Sequence, residues 1–239
     1  MKYKKQLKSC NLNTIMITSL LMFIVPFIIF SIINLTLKNP LLLTGKVYLD
    51  VIISLVMLAV LLVIHELLHA LGAILVGKLK AKDIKFGIIF KQGMLYCHMT
   101  KPMKVNAYKF AILLPIIVTG IIPLIISAIW GNIFLVIVFS FMVSGGAGDI
   151  LMFFSLAGID SETMVLDHES APAYYLLYKE GTEPKDFVEC TDEMEEQLAA
   201  SMKKSPFAVK RTNKVLLIAI FCAAVVLGLY LSALLMKIF

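Results

Sequence analysis

The sequence predicts an all-α polytopic membrane protein of about five transmembrane helices, with a membrane-edge β-hairpin and a small cytoplasmic α+β segment. Three observations carry this. Of 239 residues, 60% are hydrophobic and 16% charged, above the ~45 to 50% apolar share of soluble domains. The apolar residues gather into runs as long as the ~20 residues a helix needs to cross a bilayer. The lysines stand at the ends of those runs.

The runs are Thr14 to Leu37, Tyr48 to Gly77, Ala107 to Trp130, Ile133 to Leu156 and Val215 to Phe239. The first follows a Lys-rich start, as a signal peptide would. Its apolar stretch is too long for one and no small-residue cleavage site follows, so it reads as a retained helix. With the N-terminus in the cytoplasm, 19 of the 22 Lys and Arg fall inside and only Lys38, Lys46 and Lys237 outside. The positive-inside bias therefore expects a plasma-membrane protein with a cytoplasmic N-terminus and an external C-terminus. The expected division is a membrane core over 1–157, a cytoplasmic cap over 158–214 and a last helix over 215–239.

Between the second and third runs the period changes. Ile84, Phe86, Ile88 and Phe90 alternate, then Gln92-Gly93, then Met94, Tyr96 and His98. That is a β-hairpin over 83–99. It either plugs the helices or offers a free edge to an extended substrate. Pro115 and Pro123 in the third run leave helix carbonyls that a neighbour must satisfy. Asn106 reads as a helix N-cap or a hydrogen-bond donor to substrate. In the cap, Met164 to Asp167 and Ala173 to Tyr178 read as short strands. Thr191-Asp192-Glu193 starts an amphipathic helix running to Lys203-Lys204, acids first and bases last as the helix dipole prefers.

The chemistry concentrates at His65-Glu66-Leu67-Leu68-His69. Residues four apart stack on one helix face, so both imidazoles can reach one metal ion. Glu66 lies about 100° around the helix, beside the metal and free of it. Ionisable groups inside a bilayer are costly and mark function. Within the spans the deep ones are His65, Glu66, His69 and Asp149. His69 is eight residues before Gly77 and Asp149 nine before Gly158, each about 12 to 13 Å from the cytoplasmic end at ~1.5 Å per residue.

Asp149 is therefore the expected third ligand of a Zn2+ ion; the alternative is a packing seam at Ser144-Gly145-Gly146-Ala147-Gly148 with Asp149 bonded to backbone. His98, His168 and Asp50 are the competing ligands. Cys10, Cys97, Cys190 and Cys222 have neither close pairs nor metal spacing, which sets aside a disulfide framework and a thiolate zinc site. The net charge of +6 comes without any nucleic-acid motif, so membrane topology explains it better, with the lipid bilayer and not nucleic acid as the expected partner.

His65-Glu66-x-x-His69 with Asp149 in a later helix resembles membrane-embedded zinc proteases of the site-two type. The Gly-Ala-Gly-Asp setting departs from their Leu-Asp-Gly or Asn-Pro-Asp-Gly motifs and is more similar to the bacterial family called putative zincin peptidases. The resemblance covers roughly residues 47 to 157, with an echo at Asp167-His168-Glu169. It implies a core of three helices plus a hairpin, zinc on His65, His69 and Asp149, and Glu66 as general base. It further implies cleavage of peptide bonds in transmembrane protein or peptide substrates. A non-catalytic metal-binding or scaffolding protein, or a zinc hydrolase of a non-peptide substrate, is the alternative. Oligomeric state and substrate identity are not written in these residues.

Overall fold

The computed structural model describes residues 3–39, 44–89, 94–169 and 171–203. Four helical stretches are long and apolar enough to cross a membrane: Leu12–Thr36, Val47–Leu75, Val105–Trp130 and Ile133–Ser155. They match the first four expected spans within a few residues. The fifth, Val215 to Phe239, lies outside the described residues, as does the expected turn at Gln92-Gly93.

Two compact units share the chain. One draws on the residues up to Ile15, Glu66–Pro115 and those from Gly148 on; the other on Met16–His65 and Ile116–Ala147. The first contains all the strands among the described residues: β1 (Tyr3–Ser9), β2 (Ile84–Ile89), β3 (Met94–Met99), β4 (Met103–Lys104), β5 (Met164–Asp167) and β6 (Ala173–Lys179). It also holds α3 (Val105–Pro115), α6 (Ala147–Ser155, from Gly148) and α7 (Asp192–Lys203). Strands β2 and β3 form the expected hairpin, in register Ile84↔Met99 to Ile89↔Met94.

The larger sheet has the order β1-β6-β5-β4, all antiparallel. Strand β6 is buried along most of its length, as a central strand should be. Tyr174 and Leu176 from β6, Met103, Val105 and Tyr108 around the start of α3, and Leu156 after α6 close the core of this unit.

Strand β1 was not expected. Its lysines made the N-terminal segment read only as a topology signal. Lys4, Lys5 and Lys8 line an edge strand paired from Tyr3↔Lys179 to Ser9↔Ala173, and lysines on an edge discourage further pairing. The pairing also fixes sidedness. Segments before α1 (Leu12–Thr36), between α2 (Val47–Leu75) and α3, and after α6 enter one sheet. They lie on one face of any membrane the four helices cross.

The second unit is helical: most of α1, α2 up to His65, a π-helical turn at Ile116–Ile121, α4 (Ile122–Trp130) and α5 (Ile133–Gly145). Phe23, Phe27, Leu124, Ala128 and Val136 pack its interior. Helix α4 ends with carbonyls that lack a full set of helical donors, only that of Ser127 taking the Gly131 N–H. Asn34 donates to the Ser127 carbonyl at 3.1 Å and Asn39 to those of Ala128 and Ile129 at 3.0 and 2.9 Å. Side-chain amides thus supply donors to the helix end. The small-residue stretch breaks the fourth span between α5 and α6. A Cβ on Gly146 would come within 2.4 Å of the Ile116 side chain, so both expected features, a break and a close approach, occur together.

Candidate metal centre

Helix α2 carries the motif on a face unlike the rest of its surface. Leu55, Val56, Val60 and Val63 are exposed, as lipid-facing residues would be, whereas His65 and His69 are only 6% and 7% exposed. His65, Glu66 and His69 each place a ligand atom within 4.8 Å of the others, as the helical spacing requires.

Each imidazole is held from behind. His69 Nδ1 meets the Ala111 carbonyl at 3.0 Å. A carbonyl only accepts, so Nδ1 carries a proton, and in the neutral ring Nε2 keeps its lone pair. His65 Nδ1 meets Thr119 Oγ1 at 3.3 Å. A second partner on the other ring nitrogen is the usual arrangement behind a metal-ligating histidine.

The sequence explains why Ala111 can serve. Pro115 stands four residues later and has no N–H, so the usual helical donor to the Ala111 carbonyl is missing. The neighbour demanded by a proline in a span is His69. Gly72, one turn beyond His69, permits the approach: a Cβ there would lie 2.7 Å from the Ala111 Cα. Thr119 sits in the π-helical turn between Pro115 and Pro123, where the widened backbone turn interrupts the regular helix.

Asp149 opens α6, and its Oδ2 lies 3.5 Å from His69 Nε2. Two lone-pair groups this close call for a cation or a proton between them. Two ligand atoms bound at ~2.0 to 2.2 Å to one tetrahedral zinc stand roughly 3.3 to 3.6 Å apart, so this pair has the separation of a zinc edge. The donor set, two imidazoles with a carboxylate, fits zinc or another borderline divalent ion.

Two of the three competing ligands, Asp50 and His168, are engaged elsewhere, while His98 Nδ1 is buried with no hydrogen-bond partner among the described residues. Asp50 is buried, accepting the N–H and hydroxyl of Thr44 at 2.9 and 2.6 Å. His168 Nε2 meets Glu195 Oε2 at 3.1 Å. His98 is buried in the hairpin. Asn106 is exposed on the second residue of α3 and is no N-cap.

Sequence reasoning missed Gly72, Ala111 and Thr119. A glycine three residues after the second histidine and a proline four after an alanine were the signals. It also missed a polar pair beside the centre. Tyr108 donates to Asp167 Oδ1 at 2.5 Å, and its hydroxyl lies 3.8 Å from Met152 Sδ, one turn after Asp149. Burial pushes the Asp167 carboxyl up, against the pull of Tyr108, the Met99 N–H and two histidines.

Among curated proteins, a 113-residue stretch is 30% identical to an uncharacterised 24.7 kDa protein of Pyrococcus woesei, covering 46% of this chain and 49% of that one. The chain thus spans about half the length of that relative. No solved structure matches it. Residues 58–162, which include His65, Glu66, His69, Ala111, Thr119 and Asp149, match the family described as putative zincin peptidase.

Proposed function

We propose that this chain is a zinc metallopeptidase that hydrolyses peptide bonds of membrane-embedded protein or peptide substrates. The observation that carries the reading is a His-Glu-x-x-His group on an apolar helix long enough to span a bilayer, with both ring Nδ1 atoms occupied from behind. His65, His69 and Asp149 would hold the ion. A zinc ion in that position lowers the pKa of water and polarises a carbonyl.

Everything else is the work of the chain. The Ala111 carbonyl fixes the His69 tautomer and ring plane, and Thr119 holds the ring plane of His65. Glu66, half-buried and outside the proposed ligand set, accepts a proton from the attacking water and returns it to the departing amine. The apolar surroundings exclude bulk water, so only a substrate already in or at the membrane reaches the site. The lysine-rich segments that enter the sheet support a cytoplasmic position for it by the positive-inside bias, a reading in which the N-terminus is inside and the C-terminus outside.

The test uses the full chain purified in detergent. Bound zinc is counted by elemental analysis, and cleavage of synthetic transmembrane peptides is followed by mass spectrometry. One zinc per chain, with cleavage lost in Glu66→Gln while the zinc stays, is the expected result. Full cleavage by Glu66→Gln would remove the reading.

A further inference from the structure

Strand β3 has one edge in use and one turned outward. Thr100 donates its N–H to the Asp83 carbonyl at 2.9 Å, and Ile84↔Met99 is the next pair along. Main-chain groups in an antiparallel ladder alternate between partner strand and outside. Leu95, Cys97 and Met99 therefore aim their N–H and C=O groups away from β2, and the hairpin sheet ends there. Met99 is the exception to an open edge: Asp167 Oδ2 accepts its N–H at 3.0 Å. Asp167 cannot swing away, because its other oxygen holds the hydroxyl of the buried Tyr108.

One ladder step earlier is Cys97. Its thiol is pushed up to about 12, first by burial and then by the charges of Glu66 and Asp167, so this part of the edge feels both carboxylates. Among the described residues nothing takes the Cys97 N–H. A carboxylate on the next outward N–H ends the edge, as side-chain acceptors and charges do on natural sheet rims.

We propose that Asp167 is a positioning residue that sets the register of an extended substrate. The substrate backbone pairs with the outer edge of β3 at Leu95 and Cys97 and stops at Met99, and that stop selects the peptide bond presented to Glu66. This inference rests on the peptidase reading above. A slip past the stop moves the substrate by one ladder step of two residues, about 6.8 Å at ~3.4 Å each. Proton transfer needs a reach of about 2.6 to 3.2 Å, so a different bond is cut. Asp167 lies beyond the residues that match the family.

The experiment maps cut sites in a transmembrane peptide by mass spectrometry. Asp167→Ala is expected to add a product cut two residues from the original bond. It should lower kcat/KM at the original bond by roughly 10- to 100-fold, the cost of an ångström-scale misplacement. Asp167→Asn keeps an oxygen for the Met99 N–H and restores the single cut. Tyr108→Phe is the second variant, should Asp167→Ala fold poorly; it loosens the carboxylate and yields the displaced product as a minor fraction.

A readout without turnover uses the zinc-free Glu66→Gln chain and peptides carrying p-benzoylphenylalanine at successive positions. The label that crosslinks to residues 95–97 shifts by two in Asp167→Ala. Cuts and crosslinks that stay in place in these variants overturn the proposal, and loss of product without displacement counts as a merely structural role. The peptidase reading survives either result as long as Glu66→Gln is inactive.

Discussion

His69 with Asp149 and His168 with Glu195 are both imidazole–carboxylate pairs, at 3.5 and 3.1 Å, and they do different things. Glu195 is a fastener. It accepts from Tyr175 at 2.6 Å, from His168 and from Cys190 Sγ at 3.3 Å, tying α7 to β6 and to the ends of two loops. His168 spends its Nε2 as a donor. In the other pair, His69 Nδ1 donates to the Ala111 carbonyl, so in the neutral ring Nε2 faces Asp149 with a lone pair. The difference is what Nε2 offers: a donor in the joint, and an acceptor for the proposed metal in the other pair.

The largest expected effect is at the residue between the proposed ligands. Glu66→Gln should lower peptide cleavage by roughly 10^2- to 10^4-fold, the usual share of a general base, with zinc content unchanged. Next is Asp149→Ala. Partners behind a ligand are worth about 10- to 100-fold in metal affinity, and a ligand more, so competition with a chelator should reveal a loss above about 100-fold.

Pro115→Ala tests the comparison from behind the ring. It returns a helical donor to the Ala111 carbonyl, so zinc affinity should fall about 10-fold while the chain remains folded. Gly72→Ala forces α2 and α3 apart at the same point. Overpacking of this kind costs about 1 to 3 kcal/mol, and a thermal melt should record it.

The smallest effect belongs to the fastener. Glu195→Ala should cost less than about 1 kcal/mol, since the pair is partly solvated, and should leave cleavage untouched. Hydrogen exchange over 192–203 should rise. The Glu195 carboxyl is pushed up by burial, yet Tyr175, His168 and Cys190 outweigh this and hold it below the usual range. A depressed carboxyl stabilises above its unfolded pKa, and that stability disappears as pH falls through the lower folded value. Exchange of α7 in wild type should therefore be flat at neutral pH and rise only below about pH 4.

The helices, the hairpin and the motif were legible because each rests on local pattern: run length, alternation, four-residue spacing. Asp149 was reachable by depth counting because parallel-running helices share a rise per residue. Pro115 was read as a problem needing a neighbour, but the neighbour, His69, is 46 positions away and only packing reveals it. Strand β1 was hidden because a lysine-rich stretch carries a charge signal stronger than its strand signal. Asp167 was noticed only as an echo; its bonds to Met99 and Tyr108 bridge separations of 68 and 59 residues.

Pairing Tyr3 with Lys179 also imposes an order of assembly. The first strand leaves the ribosome 176 residues ahead of its partner, a delay of roughly 10 to 35 s at ~5 to 20 residues per second. During that interval the four spans have time to insert while the central strand of the sheet does not yet exist. Asp167 is synthesised only after α6, so its contact with Met99 on the hairpin edge forms after the spans have been made. On the proposed reading, the residues that would hold the metal are made before the one that would set the substrate register.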